Sequence, residues 1–330
     1  MQWWCLAAAV ATVSLALTAS LRRYALRQHL LDLPNARSSH TRPTPRGGGL
    51  AIVASFAAAL AVAGYAELLP MPLVQASIFA GGIVAITGFV DDHGHIAARW
   101  RLLAHFAAAG TALSILPEIP APAGASISNG LLALAVLGEV FYLAWMLNLY
   151  NFMDGIDGIA AIEAICVCLG GAMLFLLGGA PCLAAAPLLL AAATAGFLYW
   201  NWPPARIFMG DGGSGFLGFI LGLLSLQAPA LFWHWTILLA VFICDASLTL
   251  ARRALAGQKL HEAHRSHAYQ HAAQHWGHLS VSLATAAINL FWLLPLALAA
   301  ILGWLPLPAA MLAAYIPLLA LAGYLHAGKA

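Results

Sequence analysis

The stretch Asn148-Leu-Tyr-Asn-Phe-Met-Asp-Gly-Ile-Asp-Gly-Ile159 decides how this chain is read. It closes one long apolar segment and opens another. Two amides, two carboxylates and two glycines crowd into a chain that is otherwise mostly hydrocarbon. Asn148, Asn151, Asp154 and Asp157 recur every three residues, so on a helix they form one slowly drifting stripe. Gly155 and Gly158 let that helix loosen where the carboxylates begin. Carboxylates at the edge of a bilayer are costly and ask for a partner. The simplest is a divalent cation, or a phosphate-bearing ligand held by one.

Composition sets the class. Hydrophobic residues make up 62% of the 330 and charged residues 8%, against about 25% charged in soluble domains. The pattern predicts an all-α polytopic membrane protein, a single integral membrane domain over residues 1–330. Apolar spans are expected at 2–20, 50–66, 72–90, 101–117, 130–147, 158–178, 182–200, 214–229, 234–251, 279–302 and 306–326. That makes eleven, with ten the alternative. The first span is followed, not preceded, by Arg22 and Arg23, which reads as a retained helix and not as a secretory signal. With the N-terminus outside and the C-terminus cytoplasmic, all 14 Lys and Arg fall in or at the inner loops, as the positive-inside rule requires. Trp200, Trp202, Trp233, Trp235 and Trp276 flank spans and read as interfacial anchors. Asp245, Thr249 and Arg252 share one helix face, which predicts an inward Asp–Thr or Asp–Arg partnership. Glu139 and Glu163 should also face protein.

The same parity gathers every polar cluster on the inner face, while the outer loops are bland. Alternating-access carriers keep ionisable groups near the midplane and show repeats with broken helices. Here no repeat is visible, and a one-sided site suggests chemistry between a soluble molecule and a lipid. Asp91-Asp92 end a helix, where acids oppose the macrodipole and need a compensating positive charge. Gly210-Asp-Gly-Gly-Ser-Gly215 matches G-x-G-x-x-G but lies between spans, so a dinucleotide fold is rejected. What remains is a glycine-rich loop with backbone N–H groups free for an anion. In the last inner loop His264, His267 and His271 share a helical face. Zinc finds no acidic third ligand in metalloprotease spacing and no nearby Cys, whereas histidines with Arg265 suit phosphate. Arg37, Arg42 and Arg46 either anchor to anionic headgroups or draw in a nucleotide diphosphate.

Five motifs occur in order within residues 32–270: Pro45-Arg-Gly-Gly-Gly49, Asp91-Asp92, Asn148-x-x-Asn151-x-x-Asp154-Gly-Ile-Asp157-Gly, Met209-Gly-Asp211-x-Gly213-Ser214 and His264-Arg-Ser-His267. Together they resemble the polyprenyl-phosphate N-acetylhexosamine-1-phosphate transferase family, which includes the MraY and WecA enzymes. The resemblance implies ten or eleven helices in the bacterial inner membrane and an active site facing the cytoplasm. It implies transfer of a sugar 1-phosphate from a UDP-N-acetylamino sugar to undecaprenyl phosphate, releasing UMP. The cofactor implied is Mg²⁺, with Mn²⁺ the alternative. Carried over by position, Asp91, Asp92, Asp154, Asp157, His264 and His267 are catalytic, and Asp211 with Asp92 holds the metal. Arg46, Asn148, Asn151, Arg265, Gly213 and Ser214 bind substrate. The chain departs from the MraY type, which has Gly-Thr-Pro-Thr-Met-Gly-Gly and a His-His-rich motif. Ala263-His-Arg-Ser-His-Ala-Tyr-Gln270 looks more like the subgroup that starts O-antigen and exopolysaccharide chains. The alternatives are an MraY-like transferase acting on the UDP-linked muramyl peptide, or a membrane carrier without chemistry. Nucleic acid is not expected as a partner, and a homodimer is compatible with the sequence.

Overall fold

A computed structural model describes residues 2–34, 39, 42–94, 96–116, 129–259 and 264–329. Arg37 and the expected outer loop at 117–128 lie outside the described residues. The helices are α1 (Gln2–Arg27), α2 (Leu50–Tyr65), α3 (Met71–His93), α4 (Ala98–Ile115), α5 (Asn129–Phe152), α6 (Ile159–Leu177) and α7 (Ala185–Asn201). They continue as α8 (Asp211–Leu226), α9 (Phe232–Leu238), α10 (Ala240–Leu255), α11 (Ala268–Ile288), α12 (Leu294–Ile301) and α13 (Leu307–Tyr324). A minimal antiparallel pair, β1 (Leu31–Asp32) with β2 (Thr44–Pro45), ties the first polar loop.

The chain is an all-α, multi-pass membrane protein. Among the described residues seven helices are long and apolar enough to cross a bilayer. The number is eight if Asp211–Leu226 and Pro229–Leu238, bent by 110°, count as one. Each expected span contains a helix, but four fall short of that measure when each helix is taken singly. α2 and α8 have 16 residues each, α4 carries Arg99 and Arg101 in its first turn, and the span expected at 234–251 is divided into α9 and α10 at Leu239. Hydrogen bonds from Leu239 to Trp235 and from Ile243 to Leu239 carry the backbone through that junction. α1 runs past the expected end at residue 20, carrying Arg22, Arg23 and Arg27 on its last turns, where cations suit the helix dipole.

α8 is the central post. Residues 212–225 are all buried, and large side chains such as Phe79, Ile86, Phe141 and Phe291 face outward instead, as lipid contact allows. Glycines let backbones touch, the usual basis of helix association in membranes. A Cβ on Gly88 of α3 would lie 2.5 Å from the Asp211 carbonyl carbon. A Cβ on Gly49 would lie 2.5 Å from the Gly213 Cα. α2, α3 and the start of α8 therefore converge at one point.

Two expectations fail for physical reasons. Trp235 is not an interfacial anchor but is fully buried. Its ring packs on Phe175 at 5.3 Å between centroids and fills the slot left by Gly171, whose missing Cβ would collide with the indole. Trp202, Trp233 and Trp276 are exposed, as anchors would be. The polar stripe also does not stay helical. α5 ends at Phe152, so Asn148 and Asn151 are on the helix while Asp154 and Asp157 lie in the loop before α6. Gly158, at φ +79°, makes that break; an L side chain there would be strained.

Candidate active site

The site lies where the ends of α3, α5 and α10 meet the starts of α4, α8 and α11. Asp92 is buried at the end of α3. One of its oxygens accepts the backbone N–H of Asp211 at 3.3 Å, and the Gly212 N–H also contributes. Arg46 donates to the Asp92 backbone carbonyl, which places the Pro45–Gly49 loop against this corner. That loop is held in turn by bonds from Gly48 to Phe208 and from Gly49 to Met209, each 2.9 Å.

Asp91 accepts the Ile96 N–H at 2.7 Å and the Arg101 guanidinium at 2.5 Å. The same Arg101 nitrogen lies 3.4 Å from a carboxylate oxygen of Asp211. The compensating charge demanded by paired acids at a helix end is thus Arg101, from the next helix. Sequence reasoning used Arg101 only to orient the chain.

Asn151 accepts the Ser214 hydroxyl at 2.7 Å, locking α5 to α8. Asn148 lies 3.3 Å from His105. Arg101, His105, Asn148, Asn151 and Asp211 line one cavity of about 150 Å³ with apolar walls from Val84 and Leu102. The free N–H groups expected in the glycine loop are engaged. Gly213 and Ser214 donate to the Gly210 carbonyl at 3.0 and 3.1 Å, and the anion held by Asp211 N–H is the chain's own Asp92. Gly213 and Ser214 are buried and serve packing as they stand.

Asp154 is half-buried, and no described residue donates a hydrogen bond to its carboxyl. Desolvation, then the charges of Asp211, Asp92 and Asp157, push its pKa well above the ordinary carboxylate range. The three acids Asp92, Asp154 and Asp211, from separate elements, are therefore within electrostatic reach. Asp157 is turned elsewhere. It accepts the Ala205 N–H at 3.0 Å and lies 3.3 Å from the His278 ring nitrogen. Its position pins the loop after α7 and the middle of α11.

The histidine element is extended, not helical, up to His267, so the shared helical face of His264, His267 and His271 is not formed; α11 begins at Ala268. His264 stacks on His267 with centroids 5.0 Å apart and lies 3.0 Å from the Ser266 hydroxyl. Burial, His267 and Arg253 lower its pKa to about 4, so without a bound anion it is a neutral imidazole at pH 7. Arg265 is exposed. The element meets the acidic loop through Tyr269, whose hydroxyl donates to the Phe152 carbonyl at 3.0 Å. Gly155 makes room for that hydroxyl.

Among the described residues no three His, Cys, Asp or Glu side chains form a ready metal cage. Mg²⁺ does not need one, because it binds through one or two carboxylates, water and substrate phosphates. The hard oxygens of Asp211 and Asp92, with the Asp154 carboxyl nearby, to which no described residue donates, fit such an ion.

The pattern of Glycosyl transferase family 4 matches residues 74–228. The chain is 30% identical over 271 residues to a probable undecaprenyl-phosphate N-acetylglucosaminyl 1-phosphate transferase of Bacillus subtilis (strain 168), covering 77% of this chain and 72% of that one. The chain belongs to glycosyl transferase family 4, among the polyprenyl-phosphate N-acetylhexosamine-1-phosphate transferases. A decaprenyl-phosphate N-acetylglucosaminephosphotransferase of Mycolicibacterium smegmatis is 31% identical over 300 residues, 75% of this chain and 71% of that one. A phospho-N-acetylmuramoyl-pentapeptide-transferase of Chlamydia muridarum is 44% identical over 88 residues, 26% of each chain. The matched stretch 74–228 carries Asp91, Asp92, Arg101, Asp154 and Asp211. The family therefore coincides with the acidic corner of this phospho-sugar transferase.

Proposed function

We propose that this transferase moves an N-acetylhexosamine 1-phosphate from a UDP-amino sugar to undecaprenyl phosphate, releasing UMP. The product starts an O-antigen or other cell-envelope polysaccharide. The reading places eleven crossings in the bacterial inner membrane, α9 with α10 and α11 with α12 each making one, and the site at the cytoplasmic face. The observation that carries it is the Asp92–Asp211 clasp between α3 and α8, with Asp154 in reach of both. The names of the relatives support a polyprenyl phosphate acceptor and an N-acetylamino sugar.

Both reactants are anions and repel each other unless charge is offset. Asp211 and Asp92 would hold Mg²⁺, or Mn²⁺ in its place, and the ion when bound supplies positive charge to the diphosphate oxygens. Arg265 and Arg46 add cationic donors. His264 and His267 add imidazole nitrogens for the phosphates. Asn148 and Asn151 shape the wall, with Gly213 and Ser214 packed behind it and Ser214 holding Asn151. An oxygen of the lipid phosphate bonds to the sugar-linked phosphorus. The bond from that phosphorus to the bridging oxygen breaks, and UMP leaves with the electron pair. A phosphate monoester is mostly ionised near pH 7, so no general base is required. Asp91, tied to Arg101 and Ile96, then serves position more than proton transfer, and Asp157 holds the loop that presents Asp154.

The test is Asp211→Asn in purified protein with labelled UDP-N-acetylglucosamine and undecaprenyl phosphate. Loss of a charge-stabilising group predicts transfer slower by about 10²–10³-fold. Normal rates with unchanged Mg²⁺ dependence refute the metal assignment. A panel of UDP-amino sugars tests the donor, and a UDP-linked muramyl peptide accepted in preference would favour the second reading suggested by the short Chlamydia muridarum match.

A further inference from the structure

Asp245 lies on α10, a helix to which the reading above assigns no part of the chemistry. Its carboxylate is buried and collects four donors. One oxygen takes the Thr249 hydroxyl at 3.0 Å, the Ala268 N–H at 2.9 Å and the His267 Nδ1 at 3.2 Å. The other takes the Tyr269 N–H at 2.9 Å. A carboxylate with donors on both oxygens can only accept, so the hydrogen of the His267 ring is on Nδ1. Nε2 is left as the nitrogen without a hydrogen, on a ring that is 2% exposed. The two backbone donors are the first N–H groups of α11, which a buried anion satisfies well. The same contact fixes Tyr269, and through it the Phe152 carbonyl and the loop of Asp154.

We propose that Asp245 is the positioning residue of the site: it holds His267 as the Nδ1–H form and docks the first turn of α11 on the acidic loop. The inference rests on the transferase reading, in which the His264–His267 element faces substrate phosphate. A hydrogen bond buried only for packing would leave the tautomer without consequence. On that reading, the ring nitrogen offered to phosphate is the one that its carboxylate partner leaves without a hydrogen. Metal-binding histidines are commonly oriented by a carboxylate on the other ring nitrogen, and loss of that partner lowers function about 10–100-fold; the same geometry would orient a ring toward phosphate.

The experiment uses the full chain in detergent with labelled UDP-N-acetylglucosamine and undecaprenyl phosphate. In Asp245→Asn the amide NH₂ must face three of the four donors in one orientation and the fourth in the other. The expected result is a fall in kcat of about 10–100-fold with KM nearly unchanged, and less than about threefold further effect when placed on His267→Asn. An equal fall on both backgrounds, or no fall, overturns the proposal. His267→Asn at the wild-type rate instead overturns the reading beneath it. If Asp245→Asn does not fold, nitrogen NMR of ¹⁵N-histidine-labelled wild type decides, with His267 assigned by its loss in His267→Asn. A hydrogen on Nδ1 supports the proposal, and a neutral ring with hydrogen on Nε2 ends it.

Discussion

At the scale of the residue, Gly155 shows how one missing atom joins two loops. A Cβ there would collide with the Tyr269 hydroxyl and come within 3.1 Å of the Gln270 side chain. Gly155→Ala should cost about 1–3 kcal/mol, as overpacking does, and should slow transfer by shifting α11 from Phe152. Removing the hydroxyl with Tyr269→Phe should restore part of the lost stability, which thermal unfolding of the double variant reads directly. His264 gives a prediction with a sign. Its pKa is lowered from 6.5 to about 4, so the folded protein binds that proton less readily than the unfolded chain. The contribution of neutral His264 is whole above pH 6.5 and is lost as pH falls toward 4. His264→Gln should therefore lose less thermal stability than wild type between pH 7.5 and pH 5, measured without substrate. A parallel loss in both proteins would contradict the assignment.

At the scale of the element, apolar length made the helices legible and contacts across sequence did not. The ends of α3 and α5 and the start of α8 could be read because acids and glycines interrupt long hydrocarbon runs. Asp245 could be predicted to face inward and to meet Thr249, four residues on, because helix periodicity is local. Its partner His267 could not be seen, since a loop separates them. The same applies to Trp235, which flanks a span as an anchor would, while the slot that takes it is made by Gly171 on α6. Arg252, expected near Asp245, donates instead to the Ala327 carbonyl at 2.9 Å, and the Gly328 N–H reaches Ser266 at 2.7 Å. Glu163 does face protein, accepting from Asn289 at 2.6 Å. Two glycines of one helix separate packing from propensity. Gly88→Ala would press a methyl on the backbone of Asp211 and should destabilise by about 1–3 kcal/mol or more, with transfer lost as Asp92 and Asp211 part. Gly82, also in α3, has nothing within 4 Å of its missing Cβ. Gly82→Ala should be neutral or stabilise by up to about 1 kcal/mol, since alanine is the better helix former. Unfolding midpoints and transfer rates of the two variants, side by side, check both statements.

At the scale of the whole molecule the site works only if its corner is wet and the opposite face is not needed. The acidic loop, the glycine loop and the histidine element must open to one compartment for a water-borne donor to meet a lipid phosphate. In the proposed orientation this compartment is the cytoplasm, because moving Lys and Arg outward across the bilayer is disfavoured. The bend after α8 could compromise that arrangement. If Asp211–Leu226 and Pro229–Leu238 made one re-entrant unit, α10 would reach the opposite face and carry Arg252, Arg253 and Lys259 outside. If α9 and α10 together cross once, the basic end of α10 and the histidine element return to the inner face. Ala66, after α2, and Gln258, after α10, are both exposed and distinguish these cases. In a background with Cys5 and Cys182 replaced, since both are exposed, Ala66→Cys should react with a membrane-impermeant maleimide only from outside intact cells. Gln258→Cys should react only in inverted vesicles. Labelling of Gln258→Cys from outside would put the histidine element across the membrane from a cytoplasmic donor, and the proposed transfer could not take place at this site.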